Sequence, residues 1–342
     1  MIIPKQLATE APEPLEALIN KSTCGDSRLL LSRVDSDSID CIYMDPPFNS
    51  DSDYRLDPDS ETGFNDEFDS DARYIALIEP MLIECKRALK EKGSLFFHIS
   101  AAEMMIPNML CRKHFRRVQP IFWKKSRSKN NIKNKLGATI DVIFWCSDHA
   151  KPKMNMVYQP LDEYYAANSY KNKDERGNYA LGHIVYTATQ KTKNKDRLYS
   201  IVHAGVTYAP KNGWRLSQED LQSMIDDNRI HFPSKAGANP YKKIYKHESK
   251  GKPCTDLWDD VYSIAQGSEK RVYPTQKPIA LLDRIIKMTT DVGDIVLDPV
   301  AGSGTTGVAA SRLDRKYILF DQNIEATKIC MQRIAEEGKN GI

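Results

Sequence analysis

The stretch LDPVAGSGTTG, residues 297–307, constrains the fold more than any other part of the chain. Gly302, Gly304 and Gly307 have the spacing G-x-G-x-x-G, with an apolar, strand-like run before them and the helix-forming TTGVAASRL after. A turn of this kind belongs between a strand and a helix of an open parallel α/β sheet. Its glycines let the backbone approach a ligand, and the helix N-terminus offers unpaired N–H groups to an anion. Asp321 closes the next strand-like run, KYILFDQ, about 20 residues on, where an acid accepting from ribose hydroxyls belongs. The segment reads as a nucleoside-cofactor loop, although a nicotinamide dinucleotide would use the same spacing. No Gly-Lys-Ser/Thr follows, which excludes a triphosphate P-loop.

The rest of the chain supports α/β alternation. IDCIYM (39–44) reads as a buried strand ending at Asp45. From Asp71, apolar positions Tyr74, Ile78, Met81, Leu82, Cys85, Ala88 and Leu89 recur at helical spacing, and Lys92-Gly93 ends the pattern. GSLFFHIS, VQPIFWKK and DVIFWCS read as further strands, so residues 24–148 predict a parallel sheet with helices. Between about 150 and 270, Asn, Lys, Tyr, Gly and Pro dominate and periodicity is poor, which predicts an inserted, largely irregular region. Helix PIALLDRIIKMTT, strand DIVLDPV, the glycine turn and a final helix from about Asn323 complete the chain. The domain reading is therefore a leader over 1–23, one half of the sheet domain over 24–149, an insertion over 150–270 and the other half over 271–342.

At 342 residues with 41% hydrophobic and 28% charged side chains, the chain has ordinary globular composition. The N-terminal stretch lacks a basic region leading into a long apolar core, and no run approaches the roughly 18 apolar residues of a membrane span, so a cytoplasmic location is expected. Seven cysteines stand without a Cys-x-x-Cys pair or matching histidines, arguing against both a zinc site and a disulfide framework. The net charge of +3 is small, but Lys124, Lys125, Arg127, Lys129, Lys133 and Lys135 lie in a stretch without an acid. Pro253-Cys254 lies in the insertion and reads as a structural thiol; His98, His183, His203 and His231 show no partner pattern.

A second short motif separates the cofactor alternatives. Asp45-Pro46-Pro47-Phe48 follows the first central strand, and a dehydrogenase has no use for it. The exocyclic amine of a nucleobase is a poor nucleophile because its lone pair is delocalised into the ring. A carboxylate accepting one N–H and a main-chain carbonyl accepting the other favour a more tetrahedral nitrogen aimed at a methyl donor. Asp45 and the Pro46 carbonyl fit those parts. The prolines stiffen the loop and Phe48 can stack on a base, which must be flipped out of a duplex to be reached.

Together DPPF, LDPVAGSGTTG and YPTQKP (273–278) resemble the amino-methyltransferases of DNA, in the permuted group whose catalytic motif precedes its cofactor motif. The resemblance covers residues 24–148 and 270–336, including CGDSRLLL, LKEKGSLFFHIS and DQNIEATKICMQRI in the family's order. It implies a doubly wound, mostly parallel, Rossmann-like sheet, circularly permuted, with an inserted target-recognition region. It implies S-adenosylmethionine as cofactor, with Asp26 near the adenine, Asp298, Ala301, Gly302 and Ser303 near the methionine portion, Thr305 and Thr306 at the helix start, Asp321 at the ribose, and Gly304 among the cofactor-binding residues of the turn. Thr275 and Lys277 would support the methionine carboxylate. DNA is the implied partner, the basic loop its phosphate contact; a restriction endonuclease partner and a homodimer stay open. Phe48 and Tyr273 stand where Tyr and His are frequent in the family. Asp45 favours the N6 amine of adenine, since family members acting on the N4 amine of cytosine more often carry Ser there. Protein glutamine methylation and a non-catalytic DNA-binding subunit fit the intact motifs less well.

Overall fold

The computed structural model describes residues 14–48, 70–126, 134, 136–190, 192–235, 237–264, 269, 273 and 275–338, with the backbone of 53–55 and 63–65. Arg127, Lys129, Lys133 and Lys135 of the expected DNA-contacting loop lie outside the described residues. The chain divides into two compact units, Met1–Val157 with Cys254–Ile342, and Tyr158–Pro253.

The larger unit is built on eight strands: β1 (Lys21–Cys24), β2 (Ile39–Met44), β3 (Leu89–Ser100), β4 (Arg117–Lys124), β5 (Ile140–Ser147), β6 (Leu257–Trp258), β7 (Ile295–Asp298) and β8 (Lys316–Asp321). They form one sheet in the order β1-β8-β7-β2-β3-β5-β4-β6. All neighbours are parallel except where β5 pairs with β3 and β4. The two C-terminal strands thus lie between β1 and β2, and the pairing of Val296 with Cys41 and Leu297 with Ile42 joins the two sequence halves into one sheet.

Alternation along the strands divides the core into two faces. Ile42, Met44, Leu95, Phe97, Val142 and Phe144 pack with residues of helices α1 (Ser27–Leu31), α2 (Asp71–Ala88) and α3 (Met105–His114). Cys41, Tyr43, Phe96, Trp123, Ile143 and Trp145 pack with α4 (Ile279–Thr289), α5 (Thr305–Arg312) and α6 (Ile324–Glu337). Covering both faces is what makes the sheet doubly wound. Helix α2 stops at Ala88, short of the expected stop at Lys92-Gly93, because Leu89 turns extended and pairs with Ile39 of β2.

Residues 158–253 are not largely irregular, which corrects the sequence reading. A four-stranded antiparallel sheet runs Ile230–His231, Tyr241–Tyr245, Gly177–His183, Asn172–Asp174. Helix Gln218–Asp226 accompanies it, and Ile184, Trp214, Leu221 and Ile230 form a small separate core. Most of the unit's strands are two or three residues long, too short to show a period in sequence, and the two longer ones, GNYALGH and YKKIY, lack a clean apolar alternation. The unit's ends are tied by pairing of Tyr158–Gln159 with Lys252–Pro253. The unit boundaries fall inside the 150–270 range read from sequence: Leu257–Trp258 joins the main sheet, as does Lys21–Cys24 from the end of the expected leader.

Candidate active site

Four adjacent parallel strands end in or run into an acid: Asp26 after β1, Asp321 on β8, Asp298 on β7 and Asp45 after β2. In open α/β sheets ligands bind outside the carboxyl ends of the strands, at the point where the strand order reverses. Here a cleft of about 340 Å³ lies there, lined by all four acids, Pro46, Pro47 and Phe48, Tyr273, Thr275 and Lys277, and Ala301, Gly302, Ser303, Thr305 and Thr306.

The three glycines do different work. Gly302 (φ +51°) lines the cleft, and a Cβ there would meet only Tyr273, at 3.9 Å. Gly304 does not line it. Its φ of +76° makes it the left-handed residue before α5, and a Cβ would come within 2.9 Å of the Cβ of Cys330 on α6. A Cβ on Gly307 would meet Ile334 and Leu319, both at 2.5 Å. The ligand-approach argument therefore applies to Gly302, while Gly304 and Gly307 are required by helix packing.

The acids are held by local donors. Asp321 accepts one backbone N–H on each oxygen, from Gly302 and Asn323, both at 2.8 Å, which leaves further lone pairs for a ligand. Burial pushes its carboxyl up despite those donors. Asp298 accepts from the Thr306 hydroxyl (2.5 Å) and the Val300 amide (3.0 Å). Burial, with the charges of Asp45 and Asp321 adding, pushes it up to about 7. Asp26 caps α1 and pairs with Arg28, whose guanidinium holds its carboxyl below the usual range. Behind the turn, Arg333 of α6 is buried and donates to the Ser303 carbonyl (3.0 Å) and hydroxyl (3.1 Å) and to the Thr305 hydroxyl (3.2 Å).

At the other end of the cleft Lys277 Nζ pairs with Asp45 Oδ2 and lies 5.3 Å from the centroid of the Phe48 ring. Asp45 Oδ1 is buried and has no hydrogen-bond partner among the described residues. Beneath it lies His98 of β3, fully buried, with Nδ1 3.7 Å from Asp45 Oδ1 and 2.7 Å from the Tyr43 hydroxyl. Sequence reasoning passed over His98 because its partners, Tyr43 and Asp141, meet it only across the sheet. Among the basic residues, Lys124 is exposed, whereas Lys125 sits 2.7 Å from the buried carboxylate of Asp141.

Fold and cleft together define a doubly wound α/β protein of the nucleoside-cofactor type with an Asp-Pro-Pro-Phe motif at one end of its cleft. The chain belongs to the N6/N4 DNA methylase family, whose pattern matches residues 39–332. It is 26% identical over 314 residues to the Mod subunit of the type III restriction-modification enzyme StyLTI of Salmonella typhimurium, covering 82% of this chain but only 47% of that subunit. The chain thus spans about half the length of that relative. It is 26% identical over 310 residues to the DNA adenine methyltransferase YhdJ of Escherichia coli K12, covering 91% of this chain and 81% of YhdJ. Among solved structures, the cytosine-N4-specific PvuII DNA methyltransferase matches with a TM-score of 0.50 at 15% identity, over 93% of this chain and 90% of that one, a likeness of fold. Among the described residues, no helix is long and apolar enough to cross a membrane.

Proposed function

We propose that this protein methylates DNA at a specific site, transferring the methyl of S-adenosylmethionine directly to the N6 amino group of a flipped-out adenine. The observation that carries this reading is the convergence, in one cleft, of Asp45-Pro46-Pro47-Phe48 and the glycine turn after β7, two stretches from opposite ends of the chain. When bound, the cofactor supplies a methyl group made electrophilic by a sulfonium sulfur. Asp321 offers acceptors to the ribose, Asp26 stands on the adenine side, and Asp298, Ala301, Gly302 and Ser303 border the methionine portion. Thr275 and Lys277 are the groups for its carboxylate, with Thr305 and Thr306 at the start of α5.

The reaction then rests on Asp45. Its Oδ1, without a hydrogen-bond partner among the described residues, accepts one N–H of the target amine, while the Pro46 carbonyl accepts the other. Phe48 presents a ring on which the extruded base stacks, and stacking of this kind is worth about 1–3 kcal/mol. Lys124, with Arg127, Lys129, Lys133 and Lys135, supplies phosphate contacts, whereas Lys125 is held by Asp141, and the unit 158–253 reads the sequence. Asp at position 45, where N4-cytosine members more often carry Ser, favours adenine.

The test is mass spectrometry of nucleosides from unmethylated bacterial DNA incubated with the protein and isotopically labelled S-adenosylmethionine. Label in N6-methyladenine is expected. Label in N4-methylcytosine would keep the mechanism and overturn the base assignment; no label in either would refute autonomous methyl transfer.

A further inference from the structure

Methyl transfer as described leaves unused a line of buried polar groups behind Asp45. Starting from the rim of β4, Lys125 Nζ is 2.7 Å from Asp141 Oδ1, and Asp141 Oδ2 is 3.3 Å from His98 Nε2. On the other side of the ring His98 Nδ1 meets the Tyr43 hydroxyl at 2.7 Å and Asp45 Oδ1 at 3.7 Å, and Lys277 closes the line on Asp45 Oδ2. Phe48 and Trp123 pack around the imidazole with centroids 5.8 and 5.6 Å away, so water has little access. His98, Tyr43 and Asp141 are all at most 2% exposed, and none of them is a surface ion pair.

Burying an ionisable imidazole and a carboxylate is costly unless each is partnered in every state it visits. The partners here suit both states of the ring. A neutral His98 accepts from the Tyr43 hydroxyl and donates to Asp141; a protonated one has a carboxylate on each side. Burial raises the Asp141 carboxyl, but His98 and Lys125 outweigh it, so this acid is held below its ordinary range and stays anionic.

We infer that His98 is a positioning residue for Asp45 and takes up, through Asp45, the proton that the target nitrogen loses. This rests on the methyl-transfer reading. As the nitrogen–methyl bond forms and the methyl–sulfur bond breaks, the bonding pair stays on sulfur and the amine becomes a cation bearing two hydrogens. It gives one N–H proton to Asp45, restoring a neutral methylated amine. The Tyr43 hydroxyl turns its hydrogen away from Nδ1, and the 3.7 Å between Asp45 Oδ1 and Nδ1 closes. Asp45 passes the proton to His98 Nδ1 and returns to carboxylate, leaving an imidazolium between Asp45 and Asp141 that discharges back through Asp45 once product has left the cleft.

The test is single-turnover methyl transfer at saturating S-adenosylmethionine and duplex oligonucleotide, from pH 5 to 9, for wild type, His98→Gln and Asp141→Asn. Other charged groups facing the ring are Asp45, Lys277 through Asp45, Lys125 through Asp141, and Asp298, which faces Asp45. The wild-type rate is expected to fall on the acid side, where the acceptor is already protonated. His98→Gln is expected to lower the rate on the order of 10²-fold and abolish that limb, with cofactor affinity and melting temperature near wild type. Asp141→Asn, lacking the anion that stabilises the imidazolium, is expected to move the limb to lower pH. A limb set by Asp298 would not move in Asp141→Asn, and an unmoved limb would overturn the inference, as would a His98→Gln enzyme with wild-type rate and profile. No transfer by wild type would overturn the methyl-transfer reading and this one with it; wild-type transfer with unchanged variants would overturn this one alone.

Discussion

Two glycines of one motif should fail in opposite ways. Gly304 sits at φ +76°, and an added Cβ would lie 2.3 Å from Cys330 Sγ, 2.9 Å from its Cβ and 3.0 Å from its Cα. The left-handed backbone costs an L-residue about 1–2 kcal/mol, and forcing a methyl into a packed helix contact adds roughly 1–3 kcal/mol. Gly304→Ala should therefore lose about 2–5 kcal/mol, a drop of roughly 5–15 °C in melting temperature for a unit of this size. Gly302→Ala has φ +51° and only Tyr273 within reach at 3.9 Å, so it should lose about 1 kcal/mol of stability. Its new methyl enters the cleft, and S-adenosylmethionine affinity should fall about tenfold, equal to ~1.4 kcal/mol. Urea unfolding and isothermal titration with the cofactor separate the two. Adding Cys330→Ala removes the Sγ contact but not those at Cβ and Cα, so the double variant should recover about 1 kcal/mol beyond additivity. A Gly304→Ala protein within about 0.5 kcal/mol of wild type, or one that lost only cofactor affinity, would refute the packing explanation.

Asp45→Asn should reduce the rate of methyl transfer on the order of 10²-fold or more while leaving cofactor affinity nearly unchanged, measured by single turnover beside titration; an active variant would remove Asp45 from the chemistry. Asp298 holds its proton up to about 7 when folded but releases it near 3.8 when unfolded, so its contribution to stability falls as pH rises from about 4 to about 7 and is level above. Asp298→Asn should flatten that component, up to ~1.4 kcal/mol per pH unit, in unfolding free energies compared at pH 5 and 7.5; equal slopes in both proteins would contradict it. Trp214 is fully buried and donates its indole N–H to the Tyr199 carbonyl at 2.9 Å, so Trp214→Ala should cost about 3–5 kcal/mol. Hydrogen exchange should show that loss confined to residues 158–253; uniform loss across the main sheet would show that the units do not unfold separately.

Local pattern made much of the main unit legible. IDCIYM, KYILFDQ and the helix after Pro278 carry their periodicity within a few residues, and the observed elements Ile39–Met44, Lys316–Asp321 and Ile279–Thr289 follow it. Asn323, read as the start of the last helix, caps it, accepting from the Glu325 and Ala326 amides. Several short strands of 158–253 escaped because they are specified by pairing with a distant partner, as Gly177–His183 is by Tyr241–Tyr245, while the local hairpin Ile201–His203 with Val206–Tyr208 offers only three residues a side.

By itself the sequence determined which chemistry is available: an acid followed by two prolines and a ring, a glycine turn, and acids at strand ends, all encoded by contiguous residues. Only the tertiary structure decided which of these meet and what surrounds each. Parallel pairing of β7 with β2 brings the two motifs into one cleft, Cys330 makes Gly304 a packing residue, and Asp141 occupies Lys125. His98 acquired a role only there. A histidine's chemistry is set by burial and by the charges placed around it, and those come from strands far apart in the chain.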